Sequence, residues 1–168
     1  MSGKTVPLRH AANVLVSNVD KKSAAGEKPV RLVNYTDVYY QSEISPELDL
    51  MRATATTEQV RRFGVLPGDS IITKDSETST DIAVPAFVRA STPDMVCGYH
   101  LALVRPAGSM HPKYVSWALA SDFMREQFSA RANGMTRFGL TYDAIQGSSL
   151  PFPPFGEQRR IADFLDDQ

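Results

Sequence analysis

The chain has 168 residues, 42% hydrophobic, 22% charged and 9% aromatic, and its 18 basic and 19 acidic side chains leave a net charge of −1. That content excludes a chain disordered throughout, and it supports one domain that buries roughly two thirds of its unfolded surface. No run of about 20 apolar residues is present to cross a membrane, the start MSGKTVPLRHAANV lacks a basic segment followed by an apolar one, and the single cysteine, Cys97, excludes an intrachain disulfide and a cysteine-built zinc site; no membrane association and a cytoplasmic location are the expectations.

In chain order, Pro7 to Val16 reads as a short helical turn running into a strand. Ser17 to Pro29 reads as a loop. Val30 to Tyr40, rich in Val and Tyr, reads as one strand. Ser45 to Leu50 allows one turn around Pro46. Thr56 followed by Gln59 has the capping-box form and predicts a short helix ending near Phe63 and Gly64. Leu66 to Asp69 is a turn, and Ser70 to Thr73 a strand. Lys74 to Asp81 is polar without periodicity and reads as a loop. Ile82 to Arg89 and Tyr99 to Arg105 read as two more strands.

A single long helix is expected from His111 to about Ala132, with Pro112 in its first turn and Asn133-Gly134 as its stop. Leu140 to Ile145 allows one more turn capped by Thr141. Leu150 to Phe155 must be extended, because each proline restricts the residue before it. A last helix then opens at Gly156, with Ile161, Phe164 and Leu165 on one face. Short strands mixed with helices, without βαβ alternation, predict an α+β domain.

Signs of catalysis are sparse. His10, His100 and His111 lack metal-helix spacing, and there is neither a Walker-type phosphate loop nor a glycine-rich dinucleotide fingerprint. Cys97 and His100 lie within one strand or turn, where a buried bystander thiol is the commoner case. Asp75 and Glu77 flank Ser76 in a hydroxyl-rich loop, where carboxylates are more often solvated than metal-bound. The chain by itself is therefore read as no enzyme, with no metal site.

Signs of recognition are stronger. Twelve of the 18 basic residues are arginine, and Tyr99 to Leu140 holds five basic residues against two acidic ones. Arginine suits planar, bidentate contacts. Lys74 to Asp81 offers Lys74, Ser76, Thr78 and Ser79 as groups able to meet base edges or phosphates; an ordinary surface loop is the alternative. Arg131 to Gly139 offers Arg131, Asn133, Gly134, Thr136 and Arg137, since arginine can take guanine, asparagine adenine, and glycine lets backbone approach a phosphate. The alternative there is a helix end whose arginines serve the helix dipole.

At Leu150-Pro151-Phe152-Pro153-Pro154-Phe155-Gly156-Glu157-Gln158 the sequence resembles the end of a target recognition domain in the specificity (S) subunits of type I restriction–modification systems. There a hydrophobic-Pro-hydrophobic-Pro-Pro-hydrophobic-x-Glu-Gln segment leads into a long helix, though Phe152 and Phe155 stand where an aliphatic residue is commoner. Upstream, Leu66 to Ile72 resembles the family's Gly-Asp strand, Val30 to Val38 its earlier strand ending in Asp, and His111 to Gly134 the helix before a glycine. The resemblance spans nearly the whole chain. It implies a recognition domain over residues 1–155 and the start of a spacer and dimerisation helix over 156–168. A full S subunit carries two such domains and two long helices, so a half-subunit is implied.

The resemblance also implies a division of labour. The chain would read one half of a bipartite target on double-stranded DNA, and methylation and restriction subunits would dock on its helices, through Ile161, Phe164 and Leu165 here. S-adenosylmethionine, ATP and magnesium would belong to those partner subunits, with no cofactor in this chain. A weak homodimer through the terminal helix is a further expectation. The competing reading is a protein-interaction module that holds the methylation subunit without reading sequence.

Overall fold

Ser70–Thr73 and Leu101–Val104 are buried at every position, so the sheet they form needs cover on both faces. The computed structural model, which describes residues 3–168, supplies that cover. In chain order the elements are β1 (Thr5–Pro7), α1 (Leu8–Ala11), β2 (Ala12–Val16), β3 (Lys28–Val33), α2 (Tyr35–Tyr40), β4 (Glu43–Ile44), β5 (Met51–Ala55), α3 (Thr57–Phe63), β6 (Ser70–Thr73), β7 (Asp75–Ser76), β8 (Pro85–Val88), β9 (Met95–Cys97), β10 (Leu101–Pro106), α4 (Pro112–Ala120), α5 (Asp122–Arg131), β11 (Phe138–Gly139), α6 (Tyr142–Gly147), β12 (Ser149–Pro151) and α7 (Phe155–Asp166). A five-stranded sheet of order β2-β10-β6-β8-β4 lies at the centre. A three-stranded sheet, β5-β3-β9, and two two-stranded ribbons, β1-β12 and β11-β7, complete the β structure. The class is α+β, as expected.

Alternate residues of the central strands divide the core in two. Ile72, Ala102 and Val104 pack with Leu8, Tyr114, Val115, Leu119, Met124 and Phe128, the helical side. Their neighbours Ile71, Leu101 and Leu103 pack with Val30, Leu32, Ala53, Phe63 and Val96, the side of the smaller sheet. The period-two alternation of side chains thus places one continuous apolar strand in two cores. Asp69 fixes the turn into β6: its side chain accepts from the Leu66 N–H at 2.8 Å and from Arg105 Nε and NH2, both at 2.8 Å. Gly68 there has φ +91°, a left-handed conformation that glycine adopts without steric cost.

Four expectations are corrected. Val30 to Tyr40 is not one strand: β3 ends at Val33, and Asn34 starts α2, its N–H donating to Asp37 Oδ2 at 2.8 Å. A helix-start signal outweighed the β preference of Val and Tyr. The long helix from His111 is two, because Ser121 takes an extended conformation, ends α4 and caps α5 by accepting from the Met124 N–H at 3.4 Å. The strand expected over Ile82 to Arg89 is confined to Pro85–Val88, since Ala83 stands at φ +59°. Within the expected loop Lys74 to Asp81, Asp75 and Ser76 form β7. Strands β5 and β9 were not anticipated. The Thr56 capping box and the Thr141 cap were, and both are present.

The terminal helix does not present Ile161, Phe164 and Leu165 as one free face, because it packs on the domain. Gln158 and Ala162 are fully buried against the domain, and Ile161 packs on the helical core. Leu165 is half-buried, whereas Phe164 points outward at 65% exposure. The inward face is therefore 158-161-162-165, a regular helical stripe with a glutamine at its head. Gln158 Oε1 accepts from the His111 N–H at 2.8 Å, and its Nε2 donates to the Pro153 carbonyl at 2.9 Å. At the other end Trp117 Nε1 donates to Asp166 Oδ1 at 2.7 Å, tying the last turn of α7 to α4. No helix of the described residues is long and apolar enough to cross a membrane.

Candidate nucleic-acid interface

The two segments singled out for recognition chemistry are distant in sequence and adjacent in space.

 In the β7–β11 ribbon Ser76 pairs with Phe138 and Asp75 with Gly139, antiparallel. The Leu140 N–H donates to the Lys74 carbonyl at 2.9 Å, and Asn133 and Gly139 exchange backbone hydrogen bonds at 3.0 and 2.9 Å, closing the loop between them. Gly134 has φ +148°, and a Cβ on it would lie 1.8 Å from the Arg137 carbonyl oxygen. Only glycine fits there, so Gly134 shapes the loop that presents Thr136 and Arg137.

Beside the ribbon lies a cleft of about 610 Å³, and helix α2 forms its other wall. Tyr35 and Tyr39, one helical turn apart, stack with ring centroids 5.7 Å apart. Tyr39 Oη donates to Asp81 Oδ2 at 2.5 Å. That bond to a carboxylate, and the carboxylate's charge, favour the neutral phenol and push the Tyr39 pKa up to about 12. The Tyr35 hydroxyl is also pushed up, first by burial and then by the charge of Asp81, while Arg137 pulls it down. Arg137 thus acts on the tyrosine wall across the cleft.

Of the candidates, Ser76, Thr78, Thr136 and Arg137 line this cleft. Lys74, Ser79, Arg131, Asn133 and Gly134 do not. Ser76 is buried, and its Oγ accepts from the Thr78 N–H at 3.2 Å, a contact within the loop. The Lys74 ammonium lies 3.6 Å from Asp75, with its side chain only 18% exposed. Arg131 is exposed, and its guanidinium lies beside Gly147 at the end of α6. Asn133 is exposed at the loop's base.

Sequence reasoning missed Tyr35, Thr36, Tyr39 and Tyr40, because it placed them on a strand, and it did not name Asp75, Glu77 and Asp81 among the contact candidates of their loop. The Asn34–Asp37 capping pair is the signal that could have found α2. Three carboxylates and one arginine make the cleft acidic on balance. Asp75 is engaged by His100 Nδ1 as well as by Lys74. His100 holds φ +71°, an uncommon conformation for a residue with a Cβ, stabilised here by that contact and by the Lys74 N–H bond to its carbonyl at 2.9 Å. Among the described residues no group of three or more His, Cys, Asp or Glu side chains is arranged to hold a metal ion. Cys97 is fully buried, and that burial pushes its thiol far above the ordinary range, which disfavours the nucleophilic thiolate.

No family model matches the sequence, and no curated protein matches it. Solved structures do share the fold. One comes from a study of complex assembly and conformational transition of the type I restriction–modification system: TM-score 0.69 and 17% identity, over 98% of this chain and 37% of that one. The S subunit (HsdS) from Thermoanaerobacter tengcongensis gives TM-score 0.60 and 17% identity, over 98% of this chain and 36% of that one. The type I S subunit from M. genitalium gives 0.58 and 13%, over 99% and 38%. This chain therefore spans a little over a third of the length of the S-subunit chains whose fold it shares.

Proposed function

We propose that this chain is a DNA-sequence-reading module of the type I restriction–modification kind, which takes one half of a bipartite target. The observation that carries the reading is the β7–β11 ribbon: it joins the two segments chosen for their side-chain chemistry, on a fold shared with S subunits. In this reading the chain is not catalytic. Methylation and restriction subunits, directed by the bound chain, supply methyl transfer and cleavage, with S-adenosylmethionine, ATP and magnesium on their side.

The experiment is selection of random duplex DNA by the chain, at moderate salt, with and without a methylation subunit. Enrichment of one short motif supports the reading, and its strength should fall steeply with salt. A folded chain that enriches no motif in either condition overturns it.

The acidic balance of the cleft favours a second reading, an assembly module that holds the methylation subunit without reading sequence, because carboxylates repel phosphates. Association with the methylation subunit in the absence of any DNA preference is its mark. Pairing of two copies through α7 would have to use the outward face around Phe164, since Ile161 and Leu165 are turned inward.

A further inference from the structure

We propose that the cleft between α2 and the β7–β11 ribbon reads a C·G base pair in the major groove, with Arg137 taking the guanine and Glu77 the cytosine. The inference rests on the DNA-reading function proposed above and adds which base edge this cleft fits.

The charged groups of the cleft are not equally free. Asp75 is held by His100 and Lys74, and Asp81 accepts from Tyr39. Glu77 and Arg137 are exposed, and neither makes an ion pair among the described residues. They also line the same cleft. Ser76 and Phe138 form the last pair of the antiparallel ribbon, and Glu77 and Arg137 each lie one residue beyond it, in the cleft lining. One free acceptor and one free fork of donors thus line one cleft about 610 Å³ in volume.

A ligand that satisfies both must offer a donor beside two acceptors. A phosphate offers acceptors alone, and Glu77 would repel it. In the major groove, guanine is the base that presents two acceptors together, O6 and N7, the match for a bidentate arginine. Its partner cytosine presents the N4 amino group, a donor that a carboxylate accepts. An A·T pair also offers a donor, the adenine N6 amino group, but it stands between two acceptors on different bases, N7 and O4, so the arginine fork finds no two acceptors together. The wall opposite is held in place before DNA arrives, because Tyr39 is tethered to Asp81 and stacked on Tyr35.

The test is duplex selection with three forms of the full chain: wild type, Arg137→Ala and Glu77→Gln, each checked for folding by thermal melting. Wild type should enrich a motif with a fixed C·G pair. Arg137→Ala should lose discrimination at that pair alone, by roughly 5- to 150-fold, and keep the other positions. Glu77→Gln should move the preference at the cytosine position toward adenine, which glutamine binds through N6 and N7. A wild-type motif that both variants preserve overturns this inference and leaves DNA reading intact. So does uniform weakening of all sequences by Arg137→Ala, the mark of a phosphate contact, or uniform strengthening by Glu77→Gln, the mark of bulk charge. A folded wild type with no motif overturns the reading itself, and the inference falls with it.

Discussion

Gln158 is a polar side chain with no exposure at the head of an otherwise apolar helix face. Its two strong hydrogen bonds reach the His111 N–H, at the start of α4, and the Pro153 carbonyl, in the segment that enters α7. Truncation to alanine removes both bonds and leaves a donor and an acceptor unsatisfied. At about 1 kcal/mol per lost bond, and up to about 3 kcal/mol for a group left buried and unpaired, the expected cost is about 2–4 kcal/mol. In a domain of this size that is a fall in Tm of roughly 5–15 °C. Gln158→Met separates hydrogen bonding from packing, since it keeps the volume but neither bond. The assay is urea unfolding followed by far-ultraviolet circular dichroism and by fluorescence of the lone tryptophan, Trp117, which donates to Asp166 on α7. Both signals should shift together, because Ala162 and Ile161 share a core with α4. A Gln158→Met variant within about 0.5 kcal/mol of wild type, inside the range of ordinary surface substitutions, would refute the reasoning.

Arg105→Ala should destabilise by about 3–5 kcal/mol, because it leaves the Asp69 carboxylate, its side chain only 2% exposed, without its bidentate partner; equilibrium unfolding checks it. Ser121→Ala should cost about 1 kcal/mol by removing the cap of α5, seen as a lowered urea midpoint with unchanged slope. Gly134→Ala should disturb the Arg131 to Gly139 loop and weaken selection of any DNA motif more than it lowers stability, since the clash is with the Arg137 carbonyl in an exposed loop. Phenolate titration of Asp81→Asn should show one tyrosine returning from about 12 toward its ordinary value. The sign follows from the raised folded value: the Tyr39–Asp81 bond contributes fully below about pH 10, the unfolded value, and is lost as pH rises through about 12. An unchanged tyrosine titration would remove the Tyr39–Asp81 contact from the description of the cleft.

Elements with a local signal were legible in the sequence. Thr56 and Thr141 carry their caps within three residues, and Ser70–Thr73 and Leu101–Pro106 are apolar where a doubly covered strand must be. Elements fixed by distant partners were not. Strand β9 is three residues long and runs parallel to β3 through Arg31, Leu32 and Val33, a pairing that no local pattern encodes. The break at Ser121 was hidden for another reason. Apolar periodicity runs through it from Tyr114 to Phe128, since α4 and α5 both contribute to the same core, and the only local mark is a serine whose hydroxyl serves as a cap.

The candidate surface divides along the same line. Hydroxyls, arginines and glycines in two segments pointed to recognition, and the ribbon that joins them could not be read from either segment alone, because its partners lie about sixty residues apart in the chain. Among the acids of the Lys74 to Asp81 loop none was named as a base contact, and Glu77 was singled out only as a possible metal ligand. In the fold it lines the same cleft as Arg137, and the pair has a meaning that neither residue has singly. An arginine alone fits a phosphate as well as a guanine. An arginine beside a free carboxylate disfavours the phosphate and keeps the base edge, which is how a cleft with three acids and one base serves specificity at the expense of affinity. Affinity must then come from other surfaces, and the exposed arginines outside the cleft, Arg131 among them, are where uniform, salt-dependent weakening on substitution should be found.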